Sequence, residues 1–306
     1  MGTRQRLRAT VVGALSMGLF LGGAVIVTPN ASADTPATTI PVSPADTIAP
    51  TTPPATTPPV TTPPPTTTPP TTKPPVVKPP IVTCKRPAIP GNVKPYPRFF
   101  RETTKPGMRD GGVFAINHVR EAQYRLSWGK YYRGKINGRY DVATTYAVKR
   151  FQAKNCLKVT GVLDRGSWAI LIQKTIRNKS AIPKACRAKG WNSCYDRSAR
   201  QDLLYRDGVL WNAWMVRGGM KSAKTRTGTY TVRARYTSKI SSIYGVRMYY
   251  FMPHSGGQGQ HGSGFMIDPF VGHSHGCINM YIKDSKVLFN LTKGKKLRVT
   301  VYGRWA

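Results

Sequence analysis

One cysteine and four histidines lie close together in the C-terminal third of the 306-residue chain. The cysteine is Cys277, and the histidines are His254, His261, His273 and His275. Many glycines stand between them, which predicts a polar loop and not a part of the buried core. A thiol beside an imidazole can act as a nucleophile, because the imidazole supplies a base or lowers the thiol pKa. The cluster therefore predicts covalent catalysis by Cys277.

The backbone next to Cys277 is suited to stabilise the charge that such a reaction develops. Residues 274–277 read Ser-His-Gly-Cys, which sets backbone N–H groups around the thiol. Gly276 can adopt the backbone angles that direct these groups toward an oxyanion.

Two other uses of these residues stay open at this point. Histidine and cysteine are good zinc ligands, and three of them could converge on one ion. Their spacing matches no common zinc signature, however, and Asp268 is the only carboxylate among the histidines. A buried structural cluster is the second alternative. We expect a catalytic site that needs neither a metal nor a cofactor.

The N-terminus has the three parts of a secretory signal in the expected order. Arginines at positions 4, 6 and 8 precede an apolar run from Val11 to about Val27, and Ala31-Ser32-Ala33 follows as a cleavage pattern. We therefore predict a signal peptide over residues 1–33 that is cleaved on export, with an uncleaved membrane anchor as the alternative. Residues 34–83 are mostly Pro, Thr, Val and Ala, which predicts a disordered, polyproline-like linker. No later segment is long and apolar enough to span a bilayer.

Export would place the five cysteines where disulfides persist. Cys186 and Cys194 are near neighbours and can close a small loop, and Cys84 and Cys156 could then pair across the first domain. Cys277 is left over as a free reactive thiol. The sequence alone also allows a different pairing.

The chain is strongly basic, with 47 Lys and Arg against 12 Asp and Glu and a formal net charge of +35. Such a surface holds polyanions in a manner that salt screens. Nucleic acid, anionic lipid and anionic wall polymers could all bind such a basic surface. A secreted nucleic-acid binder is disfavoured, because no recognised nucleic-acid motif accompanies the charge. We expect retention on anionic cell-wall polymers and no specific nucleic-acid binding.

Residues 109–176 show the apolar periodicity of helices. Asp141 and Asp164 each follow a glycine turn and are predicted to cap the helix that comes next. The characteristic residues are 119–126, 137–141, 147–152, Leu157, Gly161 and Trp168. They resemble a peptidoglycan-binding domain of the small three-helix type. An unrelated helical spacer domain is the alternative.

After Cys194 the pattern changes to short strands. A hairpin is predicted around Asp207-Gly208, and Asp284 is predicted to be the N-cap of a short helix that ends near Leu291. The predicted fold is multidomain: a small all-α three-helix domain, then a mostly β domain over 193–303 with one or two short helices.

The β region resembles the catalytic domain of the L,D-transpeptidases of the YkuD type. The resemblance is carried by Gln260-His261-Gly262-Ser263 and by Ser274-His275-Gly276-Cys277-Ile278-Asn279. Residues 225–232 are similar to that family's Thr-Gly strand on the substrate side. The similarity covers about Tyr195 to Gly303.

The resemblance implies a role for each motif residue. Cys277 would be the acylated nucleophile and His261 the base, its ring oriented by the carbonyl of Gly262. The residues that would shape the substrate and oxyanion sites are His275, Gly262, Ser274, Gly276 and Asn279. Only twelve residues, 262–273, separate His261 from Ser274, which is fewer than is usual in the family. We therefore expect a shortened lid there, with His254 or His273 as an alternative base.

The implied reaction is acyl transfer between peptidoglycan stem peptides through a Cys277 thioester, which forms 3→3 cross-links. Water in place of the second stem would make the same site an L,D-carboxypeptidase. Carbapenem-type β-lactams are expected to acylate it. A non-catalytic wall-binding protein is the alternative of another class. The expected location is outside the cytoplasm, at the cell wall.

Overall fold

Three short helices follow from the local patterns in the first half of the described chain. The computed structural model describes residues 84–91 and 94–305, so the predicted signal peptide and linker lie outside the described residues. The helices are α1 (Val119–Trp128), α2 (Val142–Lys154) and α3 (Arg165–Lys174). No helix within 84–91 and 94–305 has the length and hydropathy of a transmembrane span.

Both predicted aspartate caps are confirmed. The carboxylate of Asp141 accepts a hydrogen bond from the Thr144 backbone N–H at 2.8 Å, and that of Asp164 accepts one from Ser167 at 2.7 Å. Each bond satisfies a backbone donor that the first helical turn leaves unpaired.

The second half folds into two sheets. The strands are β1 (Trp191–Asp196), β2 (Gln201–Arg206), β3 (Val209–Met215), β4 (Gly228–Thr231), β5 (Tyr236–Ile240), β6 (Arg247–Ser255), β7 (Gln258–Ser263), β8 (Ile278–Met280) and β9 (Leu297–Tyr302). The five-stranded sheet has the order β3-β2-β1-β9-β4, and the four-stranded sheet has the order β5-β6-β7-β8. The predicted hairpin turn at Asp207-Gly208 joins β2 to β3. The predicted fold class, helical domain followed by mostly β domain, is therefore confirmed.

Helix α4 (Ile282–Leu291) packs against β6 and β7, and it corrects one detail of the sequence analysis. Asp284 is not its N-cap, because the helix begins two residues earlier and Tyr281 occupies the cap position. The Asp284 side chain is buried and lies 3.2 Å from Nε2 of His118. The Asp284 carboxylate therefore binds His118 of the helical domain and does not cap its own helix.

A buried ion-pair network joins the helical domain to the sheets. Arg101 binds both carboxylate oxygens of Glu121 at 2.8 Å, and Nε of Arg125 also lies 2.8 Å from Glu121. Both guanidinium groups donate to the carbonyl oxygen of Ala213 in β3. Burial alone would raise the pKa of Glu121, but the two arginines lower it to about 2.

His118, Glu121 and Asp284 bring three potential metal ligands together in this network. The two arginines already neutralise and bind the Glu121 carboxylate, so the cluster acts as an ion-pair network that fixes the two domains. All described residues belong to one compact unit.

Two disulfides are present, and they are the two pairs that the sequence favoured. Cys186–Cys194 ties the segment before β1 to that strand, and Cys84–Cys156 ties the start of the described chain to the end of α2. Cys277 is the one free cysteine among the described residues.

Candidate active site

The pocket around Cys277 is built on two adjacent parallel strands. In β7 and β8, His261 pairs with Asn279 and Gln260 pairs with Ile278. Cys277 directly precedes β8, so the alternation of side chains puts it on the same face as Asn279 and His261. All three line a cavity of about 650 Å³. The register of the two strands therefore brings the thiol and the imidazole to one cavity.

His261 has a defined orientation. Its Nδ1 lies 3.0 Å from the carbonyl oxygen of Gly262. A carbonyl can only accept, so this bond places the ring proton on Nδ1 and leaves Nε2 with its lone pair. The structure thus holds the imidazole in the tautomer that can accept a proton from a thiol.

A second network fixes the other face of β7. The Gln260 side-chain amide donates to Asp202 at 2.8 Å and to Ser193 at 2.6 Å, and the Ser193 hydroxyl donates to Asp202 at 2.7 Å. Asp202 is fully buried, which raises its pKa to about 6. These bonds connect β7 to β1 and β2, so the strand that carries His261 is held in place through the adjacent residue Gln260.

Burial sets the resting protonation of the pair. It raises the pKa of the Cys277 thiol, against a smaller lowering by the Gly259 backbone N–H, and it lowers the pKa of His261 to about 4. At neutral pH both groups are therefore uncharged. The site rests as thiol and imidazole, and not as a thiolate–imidazolium pair.

This resting state predicts a particular pH dependence for alkylation of Cys277. Only the thiolate reacts, and a raised pKa means that its fraction grows tenfold per pH unit below that pKa. We expect the rate of iodoacetamide alkylation, followed by intact mass, to increase steadily between about pH 6 and pH 8. A rate that stays constant over this range would indicate a preformed thiolate and contradict the assignment.

Ser274 and Gly276 shape the turn that presents Cys277. The Ser274 hydroxyl donates to the Cys277 carbonyl at 2.6 Å and accepts from the Gly276 N–H at 3.1 Å. Gly276 has φ = 117°, and a Cβ there would overlap the side-chain amide of Gln258. The turn therefore depends on a glycine and on an internal hydroxyl.

The remaining predicted site residues have different surroundings. Asn279 is hydrogen-bonded through its backbone to Arg217 in both directions, and its side-chain Oδ1 is buried without a hydrogen-bond partner. Gly262 lies outside the cavity lining, where a Cβ would come within 2.8 Å of Ile282 Cα. His275 is exposed in the cavity and stacks on Tyr244, with ring centroids 4.4 Å apart.

The two alternative bases are placed less favourably than His261. His273 lines the cavity, but it is exposed and stacks on Trp305, with ring centroids 5.5 Å apart. His254 is buried and is not among the lining residues, and burial lowers its pKa to about 4.

Much of the cavity wall could not be predicted from the sequence. The motif spacing predicts a shortened lid between His261 and Ser274, but residues 239–247 of the β5–β6 hairpin form a large part of the lining. The sequence of this segment contains apolar residues such as Ile240, Ile243 and Tyr244, and the structure leaves them exposed. Their apolar character is the feature that could have indicated a binding surface. Four cationic residues, Arg217, Arg226, Lys239 and Arg247, also line the cavity, and no Asp or Glu within 84–91 and 94–305 lines it.

Comparison with protein families assigns both domains. Residues 117–171 match PG_binding_1, a peptidoglycan binding domain, and residues 193–301 match YkuD, the L,D-transpeptidase catalytic domain. Residues 193–301 form a YkuD-type L,D-transpeptidase catalytic domain. The resemblance that the sequence motifs indicated is thereby confirmed for both regions.

Solved L,D-transpeptidases resemble the chain at low identity. One from Stackebrandtia nassauensis is 21% identical, with a TM-score of 0.42, over 68% of this chain and 98% of that one. One from Xylanimonas cellulosilytica is 22% identical, with a TM-score of 0.39, over 66% and 98%. One from Mycobacterium tuberculosis is 21% identical, with a TM-score of 0.33, over 37% and 57%. A search of curated proteins found no significant match.

Proposed function

We propose that this L,D-transpeptidase-type protein is an exported cysteine acyltransferase that forms 3→3 cross-links between peptidoglycan stem peptides. The proposal rests mainly on one observation. Cys277 is unbridged and shares a cavity with His261, whose Nδ1 is bound to the Gly262 carbonyl. A nucleophile, a base and an orienting group are the parts that acyl transfer on a thiol requires.

In the first half-reaction, the Cys277 sulfur attacks the carbonyl carbon of the third stem residue while Nε2 of His261 takes the thiol proton. Negative charge collects on the carbonyl oxygen, and the backbone N–H groups on either side of Gly276, whose own N–H is bound to Ser274, are proposed to stabilise it. The intermediate collapses with loss of the terminal D-alanine. The leaving amine takes the proton from His261, and a thioester remains on Cys277.

In the second half-reaction, a side-chain amine of another stem attacks the thioester. His261 removes its proton and returns one to the departing sulfur, which restores the thiol and leaves a 3→3 amide bond. Attack by water instead would release a shortened stem, which is the L,D-carboxypeptidase alternative. Ser274 supports the turn, and His275 and Asn279 are proposed to contact substrate from the cavity wall.

The charge of the cavity supports a substrate with free carboxylates. Four cationic side chains line it, and none of the lining residues in the described part of the chain is acidic. Stem peptides end in a carboxylate, which such a lining attracts. The helical domain is proposed to hold the enzyme on peptidoglycan, with the net charge of +35 adding attraction to anionic wall polymers.

Digestion of isolated sacculi tests the proposed reaction. The full chain is incubated with sacculi, and the muropeptides are then released and analysed by mass. New 3→3 dimers are expected for a transpeptidase, because an amine resolves the thioester. Shortened stems without dimers would assign the carboxypeptidase reaction, and unchanged muropeptides with retained protein would assign a non-catalytic wall binder.

A further inference from the structure

Parallel strands β7 and β8 are neighbours, so the chain must cross over between them. The crossover is the β7–β8 loop, residues 264–277, which ends in the Ser274–Cys277 turn. Such crossovers usually contain a helix, and loops of this length without one are uncommon. The β7–β8 loop has no helix, so other parts of the protein must hold it in place.

One side of the β7–β8 loop is held by the catalytic domain. Arg217 donates to the carbonyl oxygens of Val271 and Phe265, at 2.8 and 3.2 Å. The hydroxyl of Tyr281 donates to the carbonyl of Ile267 at 3.2 Å. These contacts restrain the backbone of the loop at three carbonyl groups, and one of the two donors, Arg217, also lines the cavity.

The other side is held by α1 of the helical domain. The Tyr124 hydroxyl lies 3.1 and 3.0 Å from the two carboxylate oxygens of Asp268. The ring of Phe270 lies 4.6 Å from that of Tyr124 and 5.8 Å from that of Trp128. Nε of Arg120 lies 3.9 Å from Asp268. The contact is thus both polar and aromatic, and all of its partners on α1 face the loop.

Asp268 binds Tyr124 of α1 and also stabilises a turn within the β7–β8 loop. Its Oδ1 also accepts the backbone N–H of Phe270 at 2.8 Å. Close by, the fully buried Met266 clusters with Tyr281 and with Ile116, which lies just before α1. The helical domain therefore supplies two partners to the loop. Ile116 packs with Met266, and Tyr124 forms a hydrogen bond with Asp268. Phe265 and His273, which belong to the same loop, line the Cys277 cavity.

We propose that Tyr124 and Trp128 of the helical domain are positioning residues for the reaction at Cys277, acting through Asp268 and Phe270 of the β7–β8 loop. The peptidoglycan-binding-type domain then has a second role besides attachment. It forms part of the scaffold that keeps the nucleophile turn in its reactive geometry. This inference rests on the proposed acylation of Cys277.

The test uses a reaction that does not require the cell wall. A carbapenem is a small soluble acylating agent, so its rate of attachment to Cys277 reports the site and not the binding of sacculi. We expect Tyr124→Ala to slow acylation of the full chain by about ten- to a hundredfold, because small displacements of reacting groups carry such costs. Tyr124→Phe keeps the ring against Phe270 and should have a smaller effect.

The matched control is Tyr146→Ala, which removes an exposed tyrosine of α2 in the same domain. It should leave acylation and thermal unfolding unchanged. A merely structural role of Tyr124 would lower the melting temperature, whereas positioning should lower the acylation rate constant more than the initial binding of the carbapenem. Combining Tyr124→Phe with Asp268→Asn should give a non-additive loss, because both residues belong to one contact.

The possible failures are distinguishable. If wild-type protein is never labelled at Cys277, the proposed acyltransferase function fails, and this inference fails with it. If wild-type protein is labelled and the Tyr124 variants are labelled equally fast, or the double variant is additive, only the positioning role is overturned.

Discussion

Cys277→Ser should lose all covalent labelling by a carbapenem and all formation of new cross-links. Loss of a nucleophile in an acyl-transfer enzyme lowers the rate by roughly 10⁵ to 10⁶. A serine hydroxyl is a poorer nucleophile here, because a hydroxyl loses its proton less readily than a thiol and burial lowers the pKa of the His261 ring to about 4. Intact mass spectrometry after incubation measures the adduct directly.

The serine variant is a conservative test, because it keeps the size and the hydrogen-bonding capacity of the side chain. The other four cysteines are paired in disulfides, so wild-type protein should carry a single adduct, and peptide mapping should place it on Cys277. Thermal unfolding of the variant should match wild type. Labelling that persists in Cys277→Ser would rule out this sulfur as the nucleophile.

His261→Ala should slow acylation of Cys277 by about 10²- to 10⁴-fold, which is the usual contribution of a positioned general base. The side chain is almost fully buried, so its removal also leaves a space near the thiol. Added imidazole should enter this space and restore part of the rate. The measurement is the first-order rate of carbapenem acylation with and without imidazole.

The comparison variant is His273→Ala, which removes an exposed ring from the same cavity. We expect its effect to stay below about tenfold, because a ring that stacks on Trp305 lacks the fixed tautomer of His261. A large loss in His273→Ala together with a small loss in His261→Ala would exchange the roles of the two residues.

Features fixed by local interactions could be predicted from the sequence. The caps of α2 and α3 follow from aspartates whose carboxylates bind backbone groups three residues away. The hairpin turn between β2 and β3 is local in the same way. The thiol and imidazole could be paired in advance because their motifs resemble a known catalytic domain.

Features that depend on distant partners were missed. Asp284 has the residue type of a helix cap, but His118, 166 positions away in the chain, binds its carboxylate. The contact between Tyr124 and Asp268 joins residues 144 positions apart. Tyr124 belongs to the peptidoglycan-binding-type segment 119–126, but that pattern specifies a helix and does not indicate a partner in the β domain. The hairpin wall of the cavity was missed because its exposed apolar residues show no periodicity that differs from an ordinary edge strand.

The Cys84–Cys156 disulfide has a mechanical consequence. A pulling force applied to the chain before Cys84 passes through the sulfur bridge directly to the end of α2. Residues 85–155, which include α1, lie inside the covalent loop and cannot be drawn out in sequence while the bond is intact. An anchored enzyme under tension would therefore keep α1 seated against the β7–β8 loop, whereas reduction of this one bond would let the same force peel the domain from its N-terminal end.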